Sequence, residues 1–396
     1  DTFARSVRED PDRRGLLYAG TETGMFISFD DGERWQAFQL NLPEVPVTDL
    51  RVRQQDLVVS TQGRSLWILD DLTPLHQIEE AAEASGHFLY RPRDPFRSIA
   101  EGYYAEGGPG ENPPDGLQVH YVLDADVADE VPMSMEILDR QGRVVFFEAS
   151  PDSRDPCPSA PRRELLKRSA GANVWNWNLS VGEFACIEEI TATSPGLSAY
   201  PAAPGDYQVR LTVGDFTQTR PFRIRIDPRL DGQVADPMAE YAELDRLSAS
   251  LLNAATEMAE GITELRRVKD QVEFTLEVAR STEVPNADGV IEVARALDQT
   301  ADDWIAQLLQ KELKTFQNAY QHEARLLMKY KDLLGRIGGA NIPVTDGVKE
   351  VTADYLTIWS GIEAELQAIK SEDIPAFNRV LEAAGLPLIY LPRPVT

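Results

Sequence analysis

Short apolar-alternating runs crowd the beginning of the chain, and three-and-four spacing fills its end, with a second alternating region between. The stretch beginning Leu17-Tyr18-Ala19-Gly20-Thr21 aligns with the one beginning Leu57-Val58-Val59-Ser60-Thr61 at an offset of forty. The match runs through Phe26-Ile27-Ser28-Phe29-Asp30-Asp31 and Leu66-Trp67-Ile68-Leu69-Asp70-Asp71. Each copy reads as a β-run, a Gly-bearing turn, a second β-run and an acidic turn, with a further alternating run upstream at 3–10 and 47–53. Repeats of about forty residues built from four short strands mark propeller blades, small sheets that bury their faces only by stacking on neighbours. Two copies cannot close a ring that needs about four. Residues 1–75 are therefore expected to be the last two blades of an incomplete β-propeller, completed by blades upstream of Asp1 or in another chain.

Residues 76–116, rich in Gly, Pro and aromatics, read as a linker. Strand signals return at 118–123, 133–138 and 144–148, where Asp139-Arg140-Gln141-Gly142 supplies a hairpin turn, and again at 173–179, 206–213 and 217–226. Alternation without an intervening helix over 117–228 predicts an Ig-like β-sandwich. Asp236-Pro237 then opens a helix, an N-cap followed by Pro in the first turn. Leu244, Leu247, Leu251, Ala255, Met258, Ile262, Leu265, Val268, Val272 and Leu276 carry its seam to about Ser281. A second helical stretch is expected over 290–337 with a break near 311–316, a third over 345–370 and a short last one over 374–384. Together 236–390 predict an antiparallel helical bundle with Trp304, Phe316, Tyr320 and Trp359 as core or contact surface.

The turn Ser28-Phe29-Asp30-Asp31-Gly32-Glu33-Arg34-Trp35 fits the Asp-box pattern S-x-D-x-G-x-x-W. Asp30 should accept hydrogen bonds from turn amides, Gly32 should supply a positive φ, and Trp35 should pack between sheets. That is a signal for a blade hairpin and not for catalysis. With Leu16-Leu17-Tyr18-Ala19-Gly20-Thr21-Glu22-Thr23-Gly24, Gln39-Leu40-Asn41-Leu42-Pro43 and Thr61-Gln62-Gly63-Arg64-Ser65-Leu66-Trp67, it resembles the last blades of bacterial sortilin-like, BNR-repeat proteins. Those proteins are often labelled glycosyl hydrolases. Pro204-Gly205-Asp206-Tyr207-Gln208-Val209 and Asp373-Ile374-Pro375-Ala376-Phe377-Asn378 resemble that family's C-terminal regions. The resemblance implies a secreted or periplasmic location and a propeller, sandwich and helix order, and does not imply catalysis.

A net charge of −26 argues against a nucleic-acid backbone as partner, and no apolar run is long enough to span a membrane. Cys157 and Cys186, the only two cysteines, could be bridged in an oxidising compartment or stand as two buried thiols. Trp175 and Trp177 share one face of a strand and could form a carbohydrate platform, though core burial is the commoner use of such a pair. The acidic run from Asp124 to Glu130 lacks EF-hand spacing and reads as a solvated turn. Four histidines, His76, His87, His120 and His322, share no metal-ligand spacing, and nucleotide, zinc-protease and nucleophile-elbow motifs are missing.

No catalytic, cofactor-binding or metal residue is expected in this chain. The function expected from these readings is a noncatalytic scaffold that mediates assembly, as a homo-oligomer or with a protein partner, or binds a glycan or peptide ligand. The alternatives are the C-terminal part of a sialidase-like glycoside hydrolase whose active site lies on further blades, and a peptide-binding, sortilin-like receptor propeller.

Overall fold

The computed structural model describes residues 3–97, 113–150, 165–182, 199–281, 283–310, 312, 321–338 and 343–391. The architecture mixes several antiparallel sheets with a C-terminal helical region. It divides into two compact units, one made of Asp1–Ser153, Glu164–Leu179 and Gly205–Arg225, the other of Arg154–Arg163, Ser180–Pro204 and Ile226–Thr396.

The first unit opens with two meanders. Strands β1 (Ala4–Glu9), β2 (Leu17–Thr21), β3 (Met25–Ser28) and β4 (Gln36–Ala37) form one sheet in chain order, and β5 (Val47–Arg53), β6 (Asp56–Thr61) and β7 (Leu66–Leu69) form the next. The sequence repeat survives as geometry. β1 and β5 each carry a bulge, at Ala4/Ser6 opposite Thr21 and at Val47/Asp49 opposite Thr61. The turn residues Gly15 and Gln55, then Asp31 and Asp71, take positive φ at equivalent places, 78° and 66°, then 59° and 58°. Thr21 and Thr61 each bond across the next turn, to the carbonyls of Gly24 and Ser65. Left-handed backbone is strained for Gln and Asp, so its recurrence marks positions that the fold dictates.

Cross-strand rows make the correspondence explicit. Tyr18 pairs with Ile27 and Gly20 with Met25 in the first sheet; Val58 pairs with Ile68 and Ser60 with Leu66 in the second. On the opposite faces, the row Val7–Ala19–Phe26 corresponds to Leu50–Val59–Trp67. Tyr18, Met25 and Ile27 are buried in one core with Val47, Leu50, Leu57 and Val59, which stacks the first sheet on the second. A Cβ added to Gly20 would lie 2.6 Å from Cγ1 of Val47, so the strands meet there because the glycine has no side chain.

Residues 76–97, the first part of the segment read as a linker, contribute helix and strand to the first unit. They supply the end of α1 (Thr73–His76), then α2 (Ile78–Glu83) and two two-residue strands, β8 (Phe88–Leu89) and β9 (Phe96–Arg97). β8 pairs with β10 (Leu117–Leu123), and β9 lies at the edge of a sheet beyond β17 (Phe216–Ile226). With β11 (Met133–Leu138), β12 (Val144–Ser150), β13 (Gly171–Trp177) and β16 (Gly205–Val213), these form sheets of order β13-β10-β8 and β12-β11-β16-β17-β9. The Asp139 turn is formed as its sequence demands, with Oδ1 accepting from the amides of Gln141 and Arg143 at 2.8 and 3.0 Å. Aromatic rings fill the space between the two sheets: Trp175 and Trp177 from β13 meet Phe146, and Trp177 also meets Tyr207 and Phe222.

In the second unit a two-stranded ribbon, β14 (Ser180–Val181) with β15 (Tyr200–Pro201), precedes the helices. α3 (Pro237–Ser281) has 45 residues, about 68 Å at 1.5 Å per residue, and buries the seam residues Leu244 to Val272. α4 (Ala287–Leu308), α5 (Leu326–Gly338) and α6 (Asp346–Ala368) pack on it. The side chain of Thr345 caps α6. A π-helical turn, Ile369–Asp373, joins α6 to α7 (Ile374–Ala384), which ends at Gly385 in the left-handed region. The Trp304 indole donates to the Ile362 carbonyl at 2.8 Å and packs edge-on against Trp359, whose indole donates to Glu257 at 3.0 Å. Phe316, Tyr320 and the expected break at 311–316, apart from Glu312, lie outside the described residues.

Candidate functional site

Buried and half-buried polar groups of the first unit gather around α1. Asp10 follows β1 and begins the turn Asp10-Pro11-Asp12-Arg13, where Oδ1 accepts from the amides of Asp12 and Arg13 at 2.8 and 3.2 Å. Oδ2 accepts from the Tyr18 hydroxyl at 2.9 Å and lies 3.0 Å from Nε2 of His76, the last residue of α1. Burial pushes the Asp10 carboxyl up, but the hydrogen bonds from His76, the Asp12 amide and Tyr18 outweigh it and hold it below the ordinary value. Burial, with Asp10 alongside, drives the Tyr18 phenol well above its ordinary range.

At the other end of α1, Asp71 accepts through Oδ1 from the amide and hydroxyl of Thr73, at 3.1 and 2.6 Å, which starts the helical turn. Its Oδ2 lies 3.4 Å from Nε2 of His120 on β10. Burial again raises the carboxyl, and the contacts with His120 and Thr73 outweigh it, so Asp71 is held low. Asp56 ties the neighbourhood together, taking the Asp71 amide at 2.9 Å and the Arg93 guanidinium at 2.5 Å. These groups edge a cleft of about 780 Å³ lined by Asp12, Asp56, Asp71, His76 and Arg93 among others.

Asp10, Asp12 and His76 each place one potential ligand atom within 4.8 Å of the others. Four protein donors already occupy the two Asp10 oxygens, however, and the buried carboxylate is satisfied without a cation. The cluster is a hydrogen-bonded post that pins α1 to β1. Sequence reasoning missed it because its members come from positions 10, 12 and 76, which only the fold brings together. Three of the four histidines, His76, His87 and His120, each face an aspartate 37 to 66 positions away in the chain, a pairing that no local sequence pattern carries.

The Asp-box residues form the expected turn. Ser28 Oγ donates to Asp30 at 2.9 Å and accepts from the Gly32 amide at 2.9 Å, while Asp30 accepts from the Arg34 amide at 2.8 Å. Gly32 has φ 89°. Trp35 differs from the expectation: it lies over Gly32 and is 40% exposed instead of being enclosed between sheets. Trp175 and Trp177 are 3% and 1% exposed, so the ring faces a sugar would need are covered by Phe146, Tyr207 and Phe222; the pair is core and not a platform. Cys157 and Cys186 lie outside the described residues. The acidic turn after β10 is organised by Arg168, whose guanidinium donates to the carbonyls of Val127 and Val131 at 3.0 and 2.7 Å.

No protein-family model matches the chain, and no curated protein matches it. Among solved structures, one described as the extracellular domain of a hybrid two-component system from B. thetaiotaomicron is 10% identical, over 58% of this chain and 26% of its own, with a TM-score of 0.15. Another, described as the extracellular domain of a one-component system from the same organism, is 12% identical over 57% and 25%, with a TM-score of 0.14. The chain spans about a quarter of the length of those structures. Likeness at that level carries no argument about fold or activity. No helix among the described residues is long and apolar enough to cross a membrane.

Proposed function

We propose that this chain is a noncatalytic scaffold and interaction portion of a secreted or periplasmic β-propeller protein of the sortilin-like, BNR-repeat type. In this reading residues 1–75 end a ring of blades, residues 117–228 form an Ig-like sandwich, and residues 236–390 are a helical bundle that mediates assembly or partner binding. The observation that carries it is the agreement of two successive sheets in strand order, bulge position and left-handed turn residues. Structural repetition of that kind is what a stack of like sheets requires. The polar groups around α1 support a scaffold role, because Asp10, Asp71 and Asp56 are engaged in holding elements together.

Two measurements test the reading. Removal of residues 236–396 is expected to change the oligomeric state and abolish partner recovery; an unchanged state with full recovery speaks against the assembly role. Residues 1–75 produced alone are expected not to unfold cooperatively as a monomer, since two sheets leave apolar flanks uncovered. A self-contained, cooperative fold of that fragment rules out the ring.

A further inference from the structure

The cleft beside α1 is shaped by one set of polar contacts and lined by a second set of polar groups that the fold leaves unused. The first set fixes backbone. Gln77 grips residue 91 with both ends of its carboxamide, accepting from the Arg91 amide at 2.8 Å and donating to the Arg91 carbonyl at 2.9 Å. The Arg225 amide donates to the Pro95 carbonyl at 2.8 Å, and the Leu72 amide to the Gln55 carbonyl at 2.7 Å. Asn176 donates to the Asp115 carbonyl at 3.0 Å, and Asp10 holds the Asp12 amide. The second set is carried on these pinned backbones. The side chains of Gln54, Gln55, Arg91, Asp12 and Asp115 line the cleft, and none of them hydrogen-bonds or ion-pairs among the described residues. Arg225 adds a guanidinium that lies over the Phe96 ring, 4.8 Å from its centroid, and pairs with no carboxylate among them. Gln54 and Gln55 both take left-handed backbone, φ 53° and 66°, in the two-residue loop between β5 and β6, where Asn-Gly is the unstrained choice. Strain of that kind gathers at binding sites, where a side chain is kept despite it.

We propose that this cleft binds an uncharged oligosaccharide. Its volume, about 780 Å³, falls within the range of small-ligand sites. Carboxamides offer donors and acceptors, guanidinium groups donors, and carboxylates acceptors. Neighbouring sugar hydroxyls, each both donor and acceptor, satisfy that mixture. Arg91 and Arg225 stand against Asp12 and Asp115, so an anion or a cation meets its own sign in the same cleft. An extended peptide laid along 91–96 finds no amide donor at Pro92 or Pro95, which disfavours strand addition there. Pinned backbone leaves less freedom to lose on binding, so the free groups are partly placed before a ligand arrives. The proposal rests on the reading of this chain as an interaction portion and supplies the chemistry of its ligand.

The whole chain is tested on immobilised cello-, manno-, galacto- and chito-oligosaccharides beside sulfated and sialylated ones, with calorimetry on those retained. Retention of at least one neutral oligosaccharide is expected, unchanged between about 0.05 and 0.5 M salt because no ligand charge is screened. Arg91→Ala with Asp115→Ala should weaken it about tenfold or more. Gln54→Asn with Gln55→Gly should weaken it as well while raising the melting temperature, a split that a merely structural turn does not produce. Phe274→Lys, at an exposed position on α3, is the control and should bind as the parent does. Retention of no neutral oligosaccharide, retention of acidic ones alone, or binding that both cleft variants leave intact overturns the site. Release of shorter sugars from a retained oligosaccharide supports the site and overturns the noncatalytic reading instead. The assembly role fails separately, through an unchanged oligomeric state after removal of residues 236–396.

Discussion

His76 holds its Nε2 3.0 Å from Oδ2 of Asp10, sixty-six positions earlier in the chain, and the Tyr18 hydroxyl donates to the same oxygen. The Asp10 side chain is wholly buried, so the arrangement locks the one-turn helix α1 against the first strand. Replacing Asp10 by Ala strands the buried Tyr18 hydroxyl and two turn amides, and is expected to cost about 2–4 kcal/mol. Urea denaturation followed by tryptophan fluorescence measures it; a loss below about 0.5 kcal/mol would contradict the assigned role, since surface changes stay within that bound.

Acid should weaken the same unit. Asp10 and Asp71 both titrate below the ordinary value of 3.8 in the folded protein, because hydrogen bonds to the charged form exceed the penalty of burial. Their contribution is complete above the unfolded-state value and disappears as pH falls through the lowered folded value. The denaturation midpoint should therefore decline as pH drops from about 5. In Asp71→Asn that decline should be shallower, and an identical slope would show that Asp71 takes no part.

Trp177 separates core from ligand surface. Trp177→Ala should destabilise the first unit by about 3–5 kcal/mol, the usual cost of emptying a buried aromatic site. Thermal unfolding monitored by near-ultraviolet circular dichroism reads the effect. A stable variant with lost glycan binding would restore the platform that the burial of this ring argues against.

Gly261 sits in α3 where a Cβ would come within 2.7 Å of Cη2 of Trp304 and 2.8 Å of Cδ2 of Leu366. Alanine gains about 1 kcal/mol of helix propensity, while overpacking costs about 1–3 kcal/mol. The rigid indole, fixed by its bond to Ile362, should make the clash win. Gly261→Ala is expected to lower the melting temperature of the helical signal at 222 nm, and Gly261→Val to lower it further. A raised melting temperature for the alanine variant would mean that the indole yields.

Long periodic elements were legible in the chain, and short ones were not. The Asp236-Pro237 start and the leucine seam located α3 to within a residue, because each turn of a 45-residue helix repeats the same message. β11 and α7 were equally plain, carried by alternation in one case and by a short stretch ending before Pro387 in the other. Residues 76–116 looked like a connection because β8 and β9 are two residues each, too short to show any period. The α1 cluster was invisible for a different reason: Asp10, Asp71, His76 and His120 acquire their relationships only through tertiary packing. The Asp-box turn followed from local chemistry, whereas the exposure of Trp35 depends on what covers it, which no local pattern encodes.

The π-helical turn at Ile369–Asp373 keeps the hidden side of two helices aligned across an irregular count. Inward residues step by four from Ile362 to Leu366 and by three to Ile369, then by five to Ile374, before three- and four-residue strides resume at Phe377 and Leu381. That single long stride is the insertion the turn absorbs, and without it Phe377 and Leu381 would rotate by about 100° toward water. The last helix therefore belongs to the bundle by virtue of one surplus residue, and shortening the turn by that residue would unseat it without altering the identity of any residue on its buried face.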